Sequence, residues 1–243
     1  MIVSPLTHHV VKAANEEPRR NGRSVDMLLL HYTGTVSAAV ARDLLVSAES
    51  GVSCHYLIDE QGIITQMVGE EMRAWHAGVS TWQGETDTNS RSIGIEIQNP
   101  GHALGYCDFP APQMQAVVAL CRDILSRHAI PARNVLAHSD VAPGRKIDPG
   151  ERFGWALLAE AGVGHWVPPA GPLHTPLAPV DLSAFQALLQ SYGYGLSVTG
   201  VLDEQTRKVT DAFQRHFRQS LVNGVPDVGC LLTAEQLVQA LCA

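Results

Sequence analysis

Met27-Leu-Leu-Leu-His-Tyr-Thr-Gly34 is an apolar run that ends on a histidine. Four consecutive apolar residues leave no polar face, the pattern of a strand buried on both sides. Such a strand delivers its last side chain, His31, to the edge of a sheet, where functional groups collect in α/β folds. A second strand reads from Ser92-Ile-Gly-Ile-Glu-Ile-Gln98, where Ile93, Ile95 and Ile97 share one face and Gly94, Glu96 and Gln98 the other. Helical periodicity gathers Ala41, Leu44, Leu45 and Ala48 between Ser37 and Ala48. It also gathers Val117, Leu120, Cys121, Ile124 and Leu125 between Gln113 and His128, with Pro131 beyond the end. Strands alternating with such helices predict an α/β fold, a mixed central β-sheet flanked by helices.

The stretch His138-Ser-Asp-Val-Ala-Pro-Gly-Arg-Lys-Ile-Asp-Pro149 puts metal-ligand side chains, a cation and backbone-restricting residues close together. In an extended segment Lys146 and Asp148 face the same way, and Pro149 favours extension at Asp148. Pro143-Gly144 favours the turn that would return Asp148 to His138. The segment reads as half of a zinc site, and catalytic zinc usually takes three protein ligands, which makes His31 the candidate for the third. Glu96 is an acid on an apolar strand. Apolar surroundings raise a carboxyl pKa, which suits a group that takes a proton from an activated water near neutral pH. Gly94 beside it reads as room for a substrate.

With these residues in view, the chain resembles the zinc-dependent N-acetylmuramoyl-L-alanine amidases of the type 2 amidase family, related to phage T7 lysozyme and the peptidoglycan recognition proteins. The pieces that carry the resemblance are His31-Tyr-Thr-Gly34, Val52-Ser-Cys-His-Tyr-Leu-Ile58, Arg73-Ala-Trp-His-Ala-Gly-Val-Ser80, Ser92-Ile-Gly-Ile-Glu-Ile97 and His138 to Pro149, in the family's order. It implies one Zn2+ per chain held by His31, His138 and Asp148, with Glu96 and Lys146 completing the catalytic set. The implied reaction is hydrolysis of the amide bond joining N-acetylmuramic acid, or its 1,6-anhydro form, to the L-alanine of the stem peptide. The alternative is a non-catalytic peptidoglycan recognition protein on the same fold. Peptidoglycan or soluble anhydro-muropeptides are the implied partners.

Other residues have two readings each. His76, like His55, serves either as support or substrate contact or as packing. Trp75 stacks on a sugar or anchors the core. Arg145 meets a stem-peptide carboxylate or stands free in solvent, and Asn89, with Arg91, precedes the Glu96 strand and is expected to shape the groove. Cys54 lies beside His55, but adjacent strand residues face opposite sides, so it reads as a packed small side chain rather than a nucleophile.

The Pro-rich stretch from His165 to Pro179 marks a boundary, because prolines at this density prevent a helix. The expected organisation is a catalytic domain over 1–164, a linker over 165–180 and a small three-helix bundle over 181–243. Asp181, Asp203 and the Thr233/Gln236 pair are the expected helix starts. The run from Phe185 to Gly195, with Thr199 to Thr206 and Ala212-Phe-Gln214, resembles the type 1 peptidoglycan-binding domain. A net charge of −7, from 17 basic and 24 acidic residues, offers no footprint for nucleic acid. No apolar run approaches the ~20 residues of a membrane span, and the first residues lack a signal-peptide core. Five cysteines without paired metal spacing read as reduced thiols. Cytoplasmic location is favoured on these grounds, with the periplasm as the alternative that a wall-binding tail would suit.

Overall fold

In the computed structural model, which describes residues 3–171 and 174–241, the catalytic part begins with β1 (His9–Val10), β2 (Glu16–Pro18), β3 (Met27–Tyr32), α1 (Ala38–Val46) and β4 (Tyr56–Ile58). It continues through β5 (Ile64–Gln66), β6 (Met72–Ala74), α2 (Thr88–Arg91), β7 (Ser92–Ile97), α3 (Gly101–Leu104), α4 (Ala111–Arg127), β8 (Val135–Ala137), α5 (His138–Val141) and α6 (Trp155–Glu160). The C-terminal helices are α7 (Pro179–Tyr192), α8 (Glu204–Phe217) and α9 (Val228–Ala240). Six strands form one mixed sheet in the order β1-β5-β4-β7-β3-β8, and β2 pairs with β6 apart from it. The strand pairs β4·β7, β7·β3 and β3·β8 are all parallel. Their carboxyl ends therefore open on the same side, the position at which α/β sheets carry their sites.

The alternation of side chains across β3 explains its fully apolar composition. Leu28 and Leu30 face a core shared with Ile93, Ile95, Ile97 and the inner side of α4 (Val117, Leu120, Cys121, Ile124). Met27 and Leu29 face the opposite way, into a core with Leu136, Val141 and Trp82. That second core is completed by the C-terminal helices, through Leu182, Phe185, Leu189, Tyr192, Phe213 and Phe217. The bundle is thus a cover for one face of the sheet. This cluster is continuous from the sheet to the helices, so the two parts share the burial that stabilises both.

Two of the expected helix starts move. α7 begins at Pro179, with Ala178 as its cap and Asp181 inside its first turn. Proline is favoured there because its missing N–H is one the helix would not use. α9 is capped by Asp227, whose side chain accepts from the Cys230 amide, so Thr233 and Gln236 lie inside the helix and Thr233 Oγ1 donates to the Gly229 carbonyl. Asp203 caps α8 as expected, accepting from the Thr206 amide. Cys54, Cys121 and Cys230 are buried free thiols and Cys107 an exposed one, while Cys242 lies outside the described residues.

Candidate active site

β3 and β7 run in parallel with His31 directly opposite Glu96. Both side chains lie on the sheet face that carries Met27, Leu29, Ser92 and Gly94, because residues two apart share a face. β8 ends at Ala137, and the chain turns at once into α5, so His138 emerges beside His31. The loop after α5 turns at Pro143–Lys146, with Gly144 at φ 74° and the amides of Arg145 and Lys146 donating to the Ala142 carbonyl. It closes when the Ser139 amide donates to the Asp148 carbonyl. Asp148 is returned to His138 as the Pro-Gly turn predicted.

Three ligand atoms converge. His31 Nδ1 lies 2.9 Å from His138 Nδ1 and 3.0 Å from Asp148 Oδ2, and His138 Nδ1 lies 3.0 Å from the same oxygen. His138 Nε2 donates to the Ala77 carbonyl at 3.0 Å, so in the neutral ring Nδ1 has no proton. Two imidazoles and a carboxylate converging on one point form a donor set suited to a metal cation. All three residues are buried, and among the described residues they form the one such cluster. The set fits zinc, whose catalytic sites draw on His and carboxylate. Burial, with help from His138, lowers the His31 pKa to about 4, against the opposing pull of Asp148. Burial alone would raise the Asp148 pKa, but the His138 and His31 rings hold it well below the usual carboxylate range.

Glu96 and Lys146 line the same cavity of about 400 Å³ as the three ligands. Burial raises the Glu96 carboxyl well above its ordinary pKa, Asp148 adds to the rise and Lys146 opposes it. Its Oε2 is buried with no hydrogen-bond partner. A buried carboxylate oxygen left without a donor costs about 1–3 kcal/mol or more, so this atom points to a bound partner such as water or substrate. Lys146 is exposed at the cavity wall.

The sequence profile of the family described as N-acetylmuramoyl-L-alanine amidase matches residues 21–151, and that of a putative peptidoglycan binding domain matches residues 180–231. The N-acetylmuramoyl-L-alanine amidase AmiD of Escherichia coli (strain K12) is 37% identical over 233 residues, covering 88% of this chain and 83% of that protein. The chain belongs to the N-acetylmuramoyl-L-alanine amidase family. Among solved structures, the complex of E. coli AmiD with its substrate anhydro-N-acetylmuramic acid-L-Ala-D-gamma-Glu-L-Lys superposes with a TM-score of 0.79 at 35% identity, covering 94% of this chain and 92% of that one. AmpDh3 of Pseudomonas aeruginosa in complex with anhydromuramic pentapeptide gives 0.76 at 32%, covering 91% and 94%. The family implied by the motifs is therefore the right one, and with relatives of this identity the chain is an N-acetylmuramoyl-L-alanine amidase.

Around the amidase centre, the remaining expectations divide. Trp75 lines the cavity and belongs to none of the apolar clusters, and its Nε1 is buried without a partner. Arg145 lies between the cavity and solvent, but its Nε donates to the Val79 carbonyl and its Nη2 to the Ala77 carbonyl, so part of the guanidinium is spent on the 77–79 loop. Asn89 does not line the cavity. Its Oδ1 accepts from the amides of His76 and Ala77, at 3.1 and 2.8 Å, so it braces the loop that carries His76 into the cavity wall. Arg91 forms a two-bond pair with Asp26 away from the groove. His55 accepts from the Gly94 amide at Nδ1 and donates to the Met72 carbonyl at Nε2, a packing role. Cys54 is buried with its pKa pushed well up by burial, which agrees with a packed side chain.

Gly94 also differs from expectation. A Cβ there would lie 2.6 Å from His76 Nδ1, so the space beside Glu96 is filled by an imidazole rather than kept for a ligand. Sequence could mark the missing side chain but not the ring that occupies the gap. Ser92, two residues earlier on the same strand face, contacts the same ring and carried no signal of its own.

Proposed function

We propose that the chain hydrolyses the amide bond between N-acetylmuramic acid, including its 1,6-anhydro form, and the L-alanine of the stem peptide, using one zinc held by His31, His138 and Asp148. The observation that supports this most directly is the meeting of two imidazole nitrogens and a carboxylate oxygen, at 2.9 to 3.0 Å, beside an unpartnered Glu96 oxygen. Bound there, zinc would polarise the scissile carbonyl and bring the pKa of an attacking water to about 7.

The chain's own groups carry the rest. Glu96 accepts the proton of the attacking water and passes it to the departing alanine nitrogen, a role for which its raised pKa is matched. Lys146, facing the cavity, stabilises the negative charge that develops on the carbonyl oxygen. Trp75 offers a flat apolar wall to the muramyl unit, and the uncommitted part of the Arg145 guanidinium is available to a stem-peptide carboxylate. The non-catalytic alternative is disfavoured because the full ligand set and the base are all present. No helix among the described residues is long and apolar enough to cross a membrane.

AmiD and AmpDh3 were each solved with anhydromuramyl peptides. A substrate of that class, in recycling or remodelling of the wall, is the reading adopted for this chain, with residues 180–231 as a glycan-binding aid. The test is parallel digestion of purified anhydro-muropeptide and of intact sacculi, with products read by mass spectrometry and zinc measured in the same sample. Release of intact stem peptide with one zinc per chain is expected. Cuts inside the stem peptide would overturn the assigned bond. Preference for the soluble substrate would indicate cytoplasmic recycling, and preference for sacculi, periplasmic remodelling.

A further inference from the structure

His76 touches a presumed metal ligand without being one, and its second nitrogen is also engaged. The Ser92 hydroxyl lies 2.7 Å from the Thr88 carbonyl, and a carbonyl has no proton to give, so the single hydroxyl proton points there. Ser92 Oγ then presents a lone pair to His76 Nε2 at 3.2 Å, and that nitrogen must carry the ring's proton. A neutral imidazole has only one such proton. His76 Nδ1 is therefore an acceptor, and His31 Nε2, at 2.9 Å, donates to it. With its proton on Nε2, His31 has a bare Nδ1, the atom that faces His138 and Asp148.

We propose that His76 is a positioning residue that fixes the tautomer and ring orientation of His31, with its own state set by the Thr88 carbonyl through Ser92. The proposal rests on the zinc-site reading above. Gly94 is part of the device, since a side chain there would push the imidazole off the strand. The neighbouring residue does the same for the other histidine ligand, because the Ala77 carbonyl accepts from His138 Nε2. Asn89 holds both residues through their amides. The His76-Ala77 dipeptide thus orients both imidazoles, one through a side chain and one through a carbonyl. Partners of this type raise ligand basicity as well as fixing its direction.

The experiment uses the full chain. Histidine tautomers are read from long-range proton–nitrogen-15 correlations, and zinc affinity from competition with a chromogenic chelator. His76 is expected as the Nε2–H tautomer both with and without zinc. His76→Leu should weaken zinc binding about 10–100-fold, the usual effect of losing such a partner. His76→Asn, which restores an acceptor near the Nδ1 position, should recover most of the loss, a rescue that a purely packing role would not give. Ser92→Ala, a small change at a buried site, should leave His76 in mixed tautomers and weaken zinc binding to an intermediate degree. An Nδ1–H tautomer at His76 in the unmodified chain overturns the proposal, as does equal zinc affinity in the unmodified chain, His76→Leu and Ser92→Ala. An unmodified chain that takes up no zinc overturns the metal-site reading itself, and this role with it.

Discussion

Tyr194→Phe tests whether the C-terminal helices and the catalytic sheet are one structure. The Tyr194 hydroxyl donates to Asp140 Oδ1 at 2.6 Å, while Asp140 Oδ2 accepts from His216 Nδ1 at 2.7 Å and from the Ala137 amide at 2.8 Å. Asp140 is 0% exposed and His216 2%, so the carboxylate has no water to replace a lost donor. The phenyl ring can keep the edge contact that Tyr194 makes with Trp82, at 5.1 Å between ring centres, and only the hydrogen bond is removed. A hydrogen bond to a charged group contributes about 1.5–3 kcal/mol, and the dry site argues for the upper half of that range. With a urea dependence of about 3 kcal/mol per molar, the unfolding midpoint should fall by roughly 0.7–1 M at unchanged slope. Equilibrium urea unfolding followed by tryptophan fluorescence is the assay, and a single transition is expected because the parts share a core. A loss below about 0.5 kcal/mol, or two separate transitions, would show that the seam is wet and the two parts independent.

Glu96→Gln should lower turnover at least about 100-fold while zinc content is unchanged, since positioned acid–base groups contribute about 10²–10⁴; full activity in that variant would sink the assigned role. Asp148→Ala should lose the metal and the activity together, and zinc analysis of the purified variant checks it. Glu70→Gln should separate from the parent chain by pH. Burial would raise the Glu70 pKa, but bonds from His128, Arg127 and Tyr56 bring it down to about 2, below the ordinary 4.5. The stabilisation from that carboxylate, at most about 3 kcal/mol, is therefore full above pH 4.5 and is lost as pH falls toward 2. Urea midpoints of the two chains should differ at pH 7, draw together below pH 4.5 and meet only toward pH 2; a constant gap would refute the linkage. Leu29→Ala should cost about 2–5 kcal/mol, because its side chain lies between the sheet and the bundle cover, and thermal unfolding of the full chain measures it.

The parts legible in sequence are those fixed by local pattern or by a dense motif. The run at Met27 and the alternation of Ile93, Ile95 and Ile97 announced the two central strands, and the Pro143-Gly144 turn announced the return of Asp148. The short strands β1, β5 and β6 carry too few residues for a period to show. At α9 the true cap, Asp227, precedes an apolar stretch with no polar face, so the pattern around Thr233 competed with it. The double-sided burial of β3 was readable, but its second cover was not, because a composition says that a face is buried and not by what. What Asn89 and Gly94 do was hidden for the same reason. Their work is done on the His76-Ala77 backbone and ring, partners that only the folded chain brings near.

A wall-binding module on a tether can be cut away or exchanged for another with little consequence for the enzyme it serves. Here Phe185, Phe213 and Phe217 close the core that begins at Met27 and Leu29. Asp140, two residues from the proposed ligand His138, is tied to Tyr194 and His216 in the C-terminal part. Chimeras that graft a different binding unit onto this catalytic part must therefore reproduce an apolar face and a buried donor pair, not merely a linker. Any gain in wall targeting sought by such a swap would be traded against the shape of the metal site.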